Sequence, residues 1–197
     1  MKGVDNEVKQ DLGSIETGSK VAIIGGGPAG SFFALYLMKY AQEVGKRPEI
    51  TIYEPRNFCE PGHKGCKGCA GILSVSLLRN LVELGLALPE EVIQHRIESY
   101  TVHSPYSAIT FSNPERGTQI FSVYRGSGPR LSHGMSPTSF DGWLLKEAEN
   151  HGAMVERDRV ASIYLAQEAG IEVSDERLNY DLIVLASGVN VVPVNVI

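Results

Sequence analysis

An apolar run, Val21-Ala22-Ile23-Ile24, breaks into Gly25-Gly26-Gly27-Pro28-Ala29-Gly30 and resumes as a helix-prone apolar segment through Ala34, Leu35, Leu37 and Met38. Few folds accept that order. It describes a strand, a tight glycine turn and a helix that starts on the turn. In a GxGxxG turn of this kind Gly25 permits the sharp exit from the strand. Gly27 removes a Cβ from the path of a pyrophosphate, and Gly30 lets the helix sit close to the sheet. Pro28 and Ala29 then open the helix, whose free N–H groups and dipole favour negative charge.

The second half of a dinucleotide fingerprint follows in Pro48-Glu49-Ile50-Thr51-Ile52-Tyr53-Glu54. Ile50, Ile52 and Tyr53 read as a second buried strand. Glu54 closes it at the spacing where an acid can accept hydrogen bonds from ribose hydroxyls. A carboxylate there also repels a 2′-phosphate, which favours FAD or NAD over NADP. The bland reading of the same glycines is tight strand-to-helix packing, but it does not account for the terminal acid.

Composition narrows the classes further. The chain has 197 residues, 43% of them hydrophobic and 21% charged, with a net charge of −5. That excludes a disordered chain, and without a basic block there is no electrostatic footprint for nucleic acid. Residues 21–38 are apolar enough to imitate a membrane span, yet the glycines and Pro28 fit the nucleotide turn better. Residues 1–20 are polar, lack the pattern of a secretory signal and read as a flexible extension, so a cytoplasmic location is expected.

Along the rest of the chain, residues 55–71 form a long loop rich in Gly, Lys and Cys. Ser74 can cap a helix carrying Leu77, Leu78, Leu81, Val82 and Leu84, with Gly85 as its stop. Around 99–103, 108–111 and 119–124, β-branched and aromatic residues between turn signals predict strands of a second layer. Ser139 can cap a helix from Phe140 that stops at Gly152. Residues 153–156 read as a third strand of the nucleotide domain, 160–165 and 171–173 as a hairpin. Residues 182–186, apolar throughout, read as a central parallel strand. The expected class is α/β: a Rossmann-like domain formed by residues 21–95 and 139–197, with residues 96–138 as a β-rich insert.

Three further groups of residues bear on chemistry. Cys59, His63, Cys66 and Cys69 could ligate a metal, although four ligands crowded into one loop is unusual for a structural site. Cys66 and Cys69 could instead form a disulfide or a redox dithiol near Lys64 and Lys67, or simply line a cofactor loop. Arg125 and Arg130 flank a glycine turn and suit a phosphate, or are plain surface cations. His95, His103, His133 and His151 have no visible acid or nucleophile partner.

These residues resemble the FAD-dependent oxidoreductases of the geranylgeranyl reductase family, within the wider group shaped like para-hydroxybenzoate hydroxylase. The resemblance runs from Lys20 to about Asn190. It rests on the Gly25 to Gly30 turn with Glu54, on Cys69-Ala70-Gly71 before a leucine-rich helix, on Phe140-Asp141 opening a helix, and on Tyr180-Asp181-Leu182-Ile183-Val184-Leu185-Ala186-Ser187-Gly188. It implies FAD as cofactor, with Glu54 on the adenosine ribose, Gly25 to Gly30 on the pyrophosphate, and Cys69 and Gly71 on the flavin side. Arg125 and Gly188 are further cofactor contacts expected from this reading, and Cys69 is the one catalytic candidate.

The implied chemistry is hydride transfer through reduced flavin to a small or lipid-like substrate, such as a prenyl double bond. NAD(P)H or a reduced carrier would supply the electrons. Pro137 and Ser187 depart from the arginine and the acid that related flavoproteins often carry there. The family's later Gly-Asp segment is expected beyond Asn190, so the sequence reads as the N-terminal half of an enzyme, or as a chain with a complementary C-terminal partner. Two other readings stay open: a non-catalytic nucleotide-binding module, and a thiol redox or metal protein using the cysteine loop.

Overall fold

The strand that leads into the glycine turn is the spine of the molecule, and its two faces are covered by different layers. The computed structural model describes residues 14–58, 71–112, 120–125, 139–165, 169–188 and 194–197. Strand β1 (Lys20–Ile24) pairs in parallel with β2 (Glu49–Tyr53) after the helix α1 (Pro28–Glu43). Two further strands, β8 (Met154–Glu156) beside β2 and β12 (Leu182–Leu185) beside β1, complete a four-stranded parallel sheet in the order β12-β1-β2-β8.

Side chains alternate across a strand, and the alternation of β1 sorts the core. Val21 and Ile23 belong to one hydrophobic cluster with Ala34 and Leu35 of α1 and with Trp143, Leu144 and Leu145 of α3 (Phe140–Asn150). Ala22 and Ile24 belong to a second, with Val160, Ile163, Ile171 and Val173. The latter four come from an antiparallel sheet of β9 (Val160–Tyr164), β10 (Gly170–Val173) and β11 (Glu176–Asn179), to which the short parallel β13 (Asn195–Val196) is added beside β9. Helices therefore cover one face of the parallel sheet, and an antiparallel sheet covers the other.

The remaining strands form two small sheets. Strand β7 (Ile120–Val123) lies between β3 (Ile72–Leu73) and β4 (Ile93–Ile97), and Leu73 and Val123 enter the helix-side cluster together with Leu81 of α2 (Val75–Glu83). Among the described residues, strands β5 (Ser99–His103) and β6 (Ala108–Ser112) pair only with each other, as an exposed hairpin.

Three expectations change. Among the described residues the apolar run 182–186 lies at an edge of its sheet, as β12, and none of its residues is fully buried, with Leu185 54% exposed. Leu182 and Val184 pack on the helix-side cluster and Ile183 on the other. The run thus reports partial packing on both faces. Second, residues 14–19 are not loose: Gly18 donates to the Arg47 carbonyl, Ser19 accepts from the Glu49 N–H, and Ile15 packs on the core. Third, the expected boundary at residue 95 falls inside β4, whose partner β7 comes from the expected insert.

Candidate functional site

The order β12-β1-β2-β8 places β1 where the chain's path through the sheet reverses, and ligands of open α/β sheets bind beyond the carboxyl ends of the strands at such a point. Four segments converge there. The turn from Gly25 follows β1, Glu54 follows β2, Ala186 to Gly188 follow β12, and Arg157 follows β8. The ladder reaches the turn itself, for Gly25 donates to the Tyr53 carbonyl at 2.9 Å and Ala186 to that of Ile24 at 2.8 Å.

The glycines of the turn do different jobs. Gly25 has φ +112°, and a Cβ there would overlap the Ala186 carbonyl; at Gly30 it would overlap the Gly25 carbonyl oxygen, so α1 rests directly on the turn. Gly26 is close to Glu54 Cβ and Leu145. Gly27 is different: the nearest atom to a Cβ at that position is Arg56 Nη2, 3.9 Å away. Packing therefore explains Gly25 and Gly30 but leaves Gly27 facing open space. Gly27 is also the N-cap of α1, with Pro28 in the first turn, no side-chain cap bond and no acidic residue in that turn. No acidic residue of α1's own first turn offsets its positive end, and the nearby Glu54 carboxylate is bonded to the Gly26 N–H and paired with Arg56.

Glu54 is only 2% exposed, and all of its acceptor capacity is taken by the chain. Oε1 accepts from the Arg56 backbone N–H at 3.0 Å and Nε at 2.8 Å, while Oε2 accepts from Gly26 N–H and Arg56 Nη2, both at 2.9 Å. Four donors fill the roughly four lone-pair sites of a carboxylate. Burial alone pushes the Glu54 carboxyl up, but the bonds and charge of Arg56, with the Gly26 N–H, hold it below its ordinary 4.5. The Arg56 guanidinium carbon lies over the Phe58 ring, 4.8 Å from the ring centroid, and the Arg56 side chain is 33% exposed. Arg157 Nη1 donates to the carbonyls of Glu54 and Arg56, at 3.3 and 3.0 Å, and fixes the backbone between them.

A second ion pair lies close by. Arg125 holds Asp141 through two bonds, Nε to Oδ1 at 2.8 Å and Nη2 to Oδ2 at 3.0 Å. Asp141 sits in the first turn of α3, which Ser139 caps by accepting from the Gly142 N–H at 3.0 Å. Burial pushes the Asp141 carboxyl above its ordinary 3.8 by more than Arg125 draws it down. The charge of Asp141 also acts on Arg56.

The residues singled out in the sequence are thus distributed unevenly. Gly25, Gly27, Pro28, Ala29, Gly30, Glu54 and Gly188 stand at the carboxyl ends of the parallel strands, Gly188 with φ +78° and open space around it. Arg125 is tied to the start of α3. Gly71 accepts from the Val123 N–H at 2.8 Å beside the small sheet, where a Cβ would overlap the Val123 carbonyl. Cys59, His63, Cys66, Cys69 and Arg130 lie outside the described residues. Among the described residues no group of three or more His, Cys, Asp or Glu could hold a metal ion, and no helix is long and apolar enough to cross a membrane.

Sequence reasoning missed the roles of Arg56, Arg157 and Asp141. Only Arg56 had a local signal, as a cation two residues after the strand-terminal acid. The other two meet their partners through the tertiary fold. Away from this site, an open apolar groove of about 260 Å³ runs between α2 and the small sheet, lined by Leu78, Leu81, Val82, Leu86, Ile93 and Phe121.

No protein-family model matches this sequence, and no curated protein matches it. Solved structures do. Tar14, a tryptophan C-6 flavin-dependent halogenase (chlorinase) from taromycin biosynthesis, aligns with a TM-score of 0.58 over 86% of this chain and 43% of its own, at 14% identity. CmlS, a flavin-dependent halogenase, aligns with a TM-score of 0.51 over 85% of this chain and 28% of its own, at 26% identity. This chain has the Rossmann-like α/β fold of these flavoproteins. QhpG, a peptidyl tryptophan dihydroxylase essential for tryptophylquinone cofactor biogenesis, shares it with a TM-score of 0.53 over 88% of this chain and 33% of its own, at 20% identity. The chain spans less than half the length of each of these proteins.

Proposed function

We propose that this chain binds FAD at the carboxyl ends of its parallel strands and forms the dinucleotide-binding portion of a flavin-dependent oxidoreductase. The observation that carries the reading is Gly27, whose missing Cβ no packing contact explains, at the uncapped start of α1. A diphosphate matches that cradle in shape and charge. Glu54 would hold the adenosine ribose, the backbone from Gly25 to Gly30 the diphosphate, and Gly188 would lie where the chain turns past the cofactor. Bound flavin would supply two-electron hydride transfer.

The flavin-dependent enzymes that share the fold support this assignment. Reduction of an isoprenoid-type double bond, with NAD(P)H or a reduced carrier as electron source, is the finer reading. The full reaction is assigned to this chain together with a further segment or partner chain, because the fold-sharing enzymes are about two to three times as long.

The test is to purify the chain, record its visible spectrum before and after denaturation, and titrate the colourless fraction with FAD. A flavin spectrum released as free FAD, or saturable FAD binding, is the expected result. A chain that neither carries nor binds FAD sinks the reading.

A further inference from the structure

The buried carboxylate assigned to the ribose has no acceptor site left for a ribose. Its four donors are all from the chain, and Arg56 provides three of them. The two backbone donors, Gly26 N–H and Arg56 N–H, are fixed by the turn and by Arg157. The two side-chain donors are not fixed in this way. They belong to a flexible residue whose side chain is 33% exposed, and they present two N–H groups to one carboxylate, as a pair of vicinal hydroxyls does.

The same guanidinium borders the open space at Gly27. Its Nη2 is the nearest atom to the position a Cβ would take there, at 3.9 Å. A small displacement of one side chain therefore connects the carboxylate to the cradle for a diphosphate. Resting on the reading of the previous subsection, we propose that Arg56 is an internal substitute for the nucleotide ribose. On binding, its guanidinium cedes Glu54 to the two ribose hydroxyls and transfers to the diphosphate beside Gly27.

The exchange conserves charge pairing in both states. Without ligand, Glu54 and Arg56 neutralise each other, with the carboxylate buried and the guanidinium reaching solvent. With ligand, the carboxylate keeps two backbone donors and gains two hydroxyl donors, and the guanidinium exchanges a carboxylate for a phosphate. The proposal has a signature that a purely structural ion pair lacks. Removing the guanidinium must help a ligand that has only the ribose and hinder one that also has the diphosphate.

The experiment compares the Kd of adenosine, ADP and FAD for the wild-type chain and for Arg56→Met and Arg56→Lys, by calorimetry or fluorescence titration, with circular dichroism confirming that each variant is folded. For Arg56→Met, adenosine is expected to bind roughly threefold to tenfold tighter and ADP roughly threefold to tenfold weaker. Arg56→Lys, which keeps the charge but loses the paired N–H geometry, is expected to tighten adenosine while leaving ADP within about threefold of wild type. Affinities for adenosine and ADP that move in the same direction, or not at all, in a folded variant overturn the exchange and leave FAD binding intact as a reading. A wild-type chain that binds none of the three ligands overturns the nucleotide reading itself and the exchange with it. If Arg56→Met fails to fold, the Arg56→Lys comparison decides, since an unchanged adenosine affinity there also overturns the proposal.

Discussion

Gly27 and Gly30 are three residues apart and answer to different forces. A Cβ at Gly30 would overlap the Gly25 carbonyl oxygen, so Gly30→Ala is expected to cost at least about 2 kcal/mol in urea unfolding. Gly27→Ala meets nothing closer than 3.9 Å. It is expected to change stability by less than about 1 kcal/mol while weakening FAD binding tenfold or more, a combination that marks a ligand surface. Equal losses of stability in the two variants would show that packing alone explains the motif.

Glu54 adds a pH dependence. Its folded pKa is lowered, so its contribution to stability is present above the ordinary value of 4.5 and is lost as pH falls through the lowered pKa. Asp141 has the opposite sign: its raised pKa makes the neutral form the better accommodated one, so its contribution improves as pH falls. Thermal melts of wild type and Glu54→Gln between pH 6 and pH 3 are expected to converge toward acid, with the wild-type advantage confined to the higher end. A constant gap across the range would count against the Arg56 pairing. At this scale the sequence was informative where chemistry is local, as for the turn and the strand-terminal acid. It was silent on Arg125–Asp141, whose partners are brought together by the return of α3 to the sheet.

Among the helices, the cap determines more than stability. Ser74 caps α2 at the surface, accepting from the Leu77 N–H at 3.3 Å, whereas Ser139 is fully buried and starts the helix that carries Asp141. Ser139→Ala is expected to cost about 1–2 kcal/mol and Ser74→Ala at most about 1, by chemical denaturation. Both caps and both helix stops were legible, because capping chemistry is written in adjacent residues. The parallel strands were legible as elements but not all by position. Edge and centre differ in hydrogen-bonded neighbours, and β12 packs partly on both core clusters at the edge of the described sheet, so its apolar side chains do not report the difference. Strands β3, β4, β11 and β13 were missed. β3 and β13 are only two residues long, and β4 and β11 are largely polar.

Over the whole molecule, β1 couples two cores that share no side chain. Ile171 of β10 is fully buried in the cluster on the antiparallel side, while Trp143, the sole tryptophan, reports from the helix side. Ile171→Ala is expected to lower stability by about 2–5 kcal/mol, and to shift the Trp143 fluorescence transition and the far-ultraviolet circular dichroism transition by the same amount. A Trp143 transition left in place would mean that the two layers unfold separately. The three-layer arrangement itself could be anticipated only in part. The α/β class follows from the order of strand and helix signals, but the cover of the second face depends on which way each residue of β1 points.

The closed contacts of Glu54 also bear on when the chain can mature. A buried carboxylate left without donors would cost several kcal/mol, enough to make folding wait for a ligand. Gly26 and Arg56 supply those donors from within the chain, and among the described residues no buried side-chain nitrogen or oxygen lacks a partner. If the chain takes a nucleotide as proposed, its folding therefore need not wait for one.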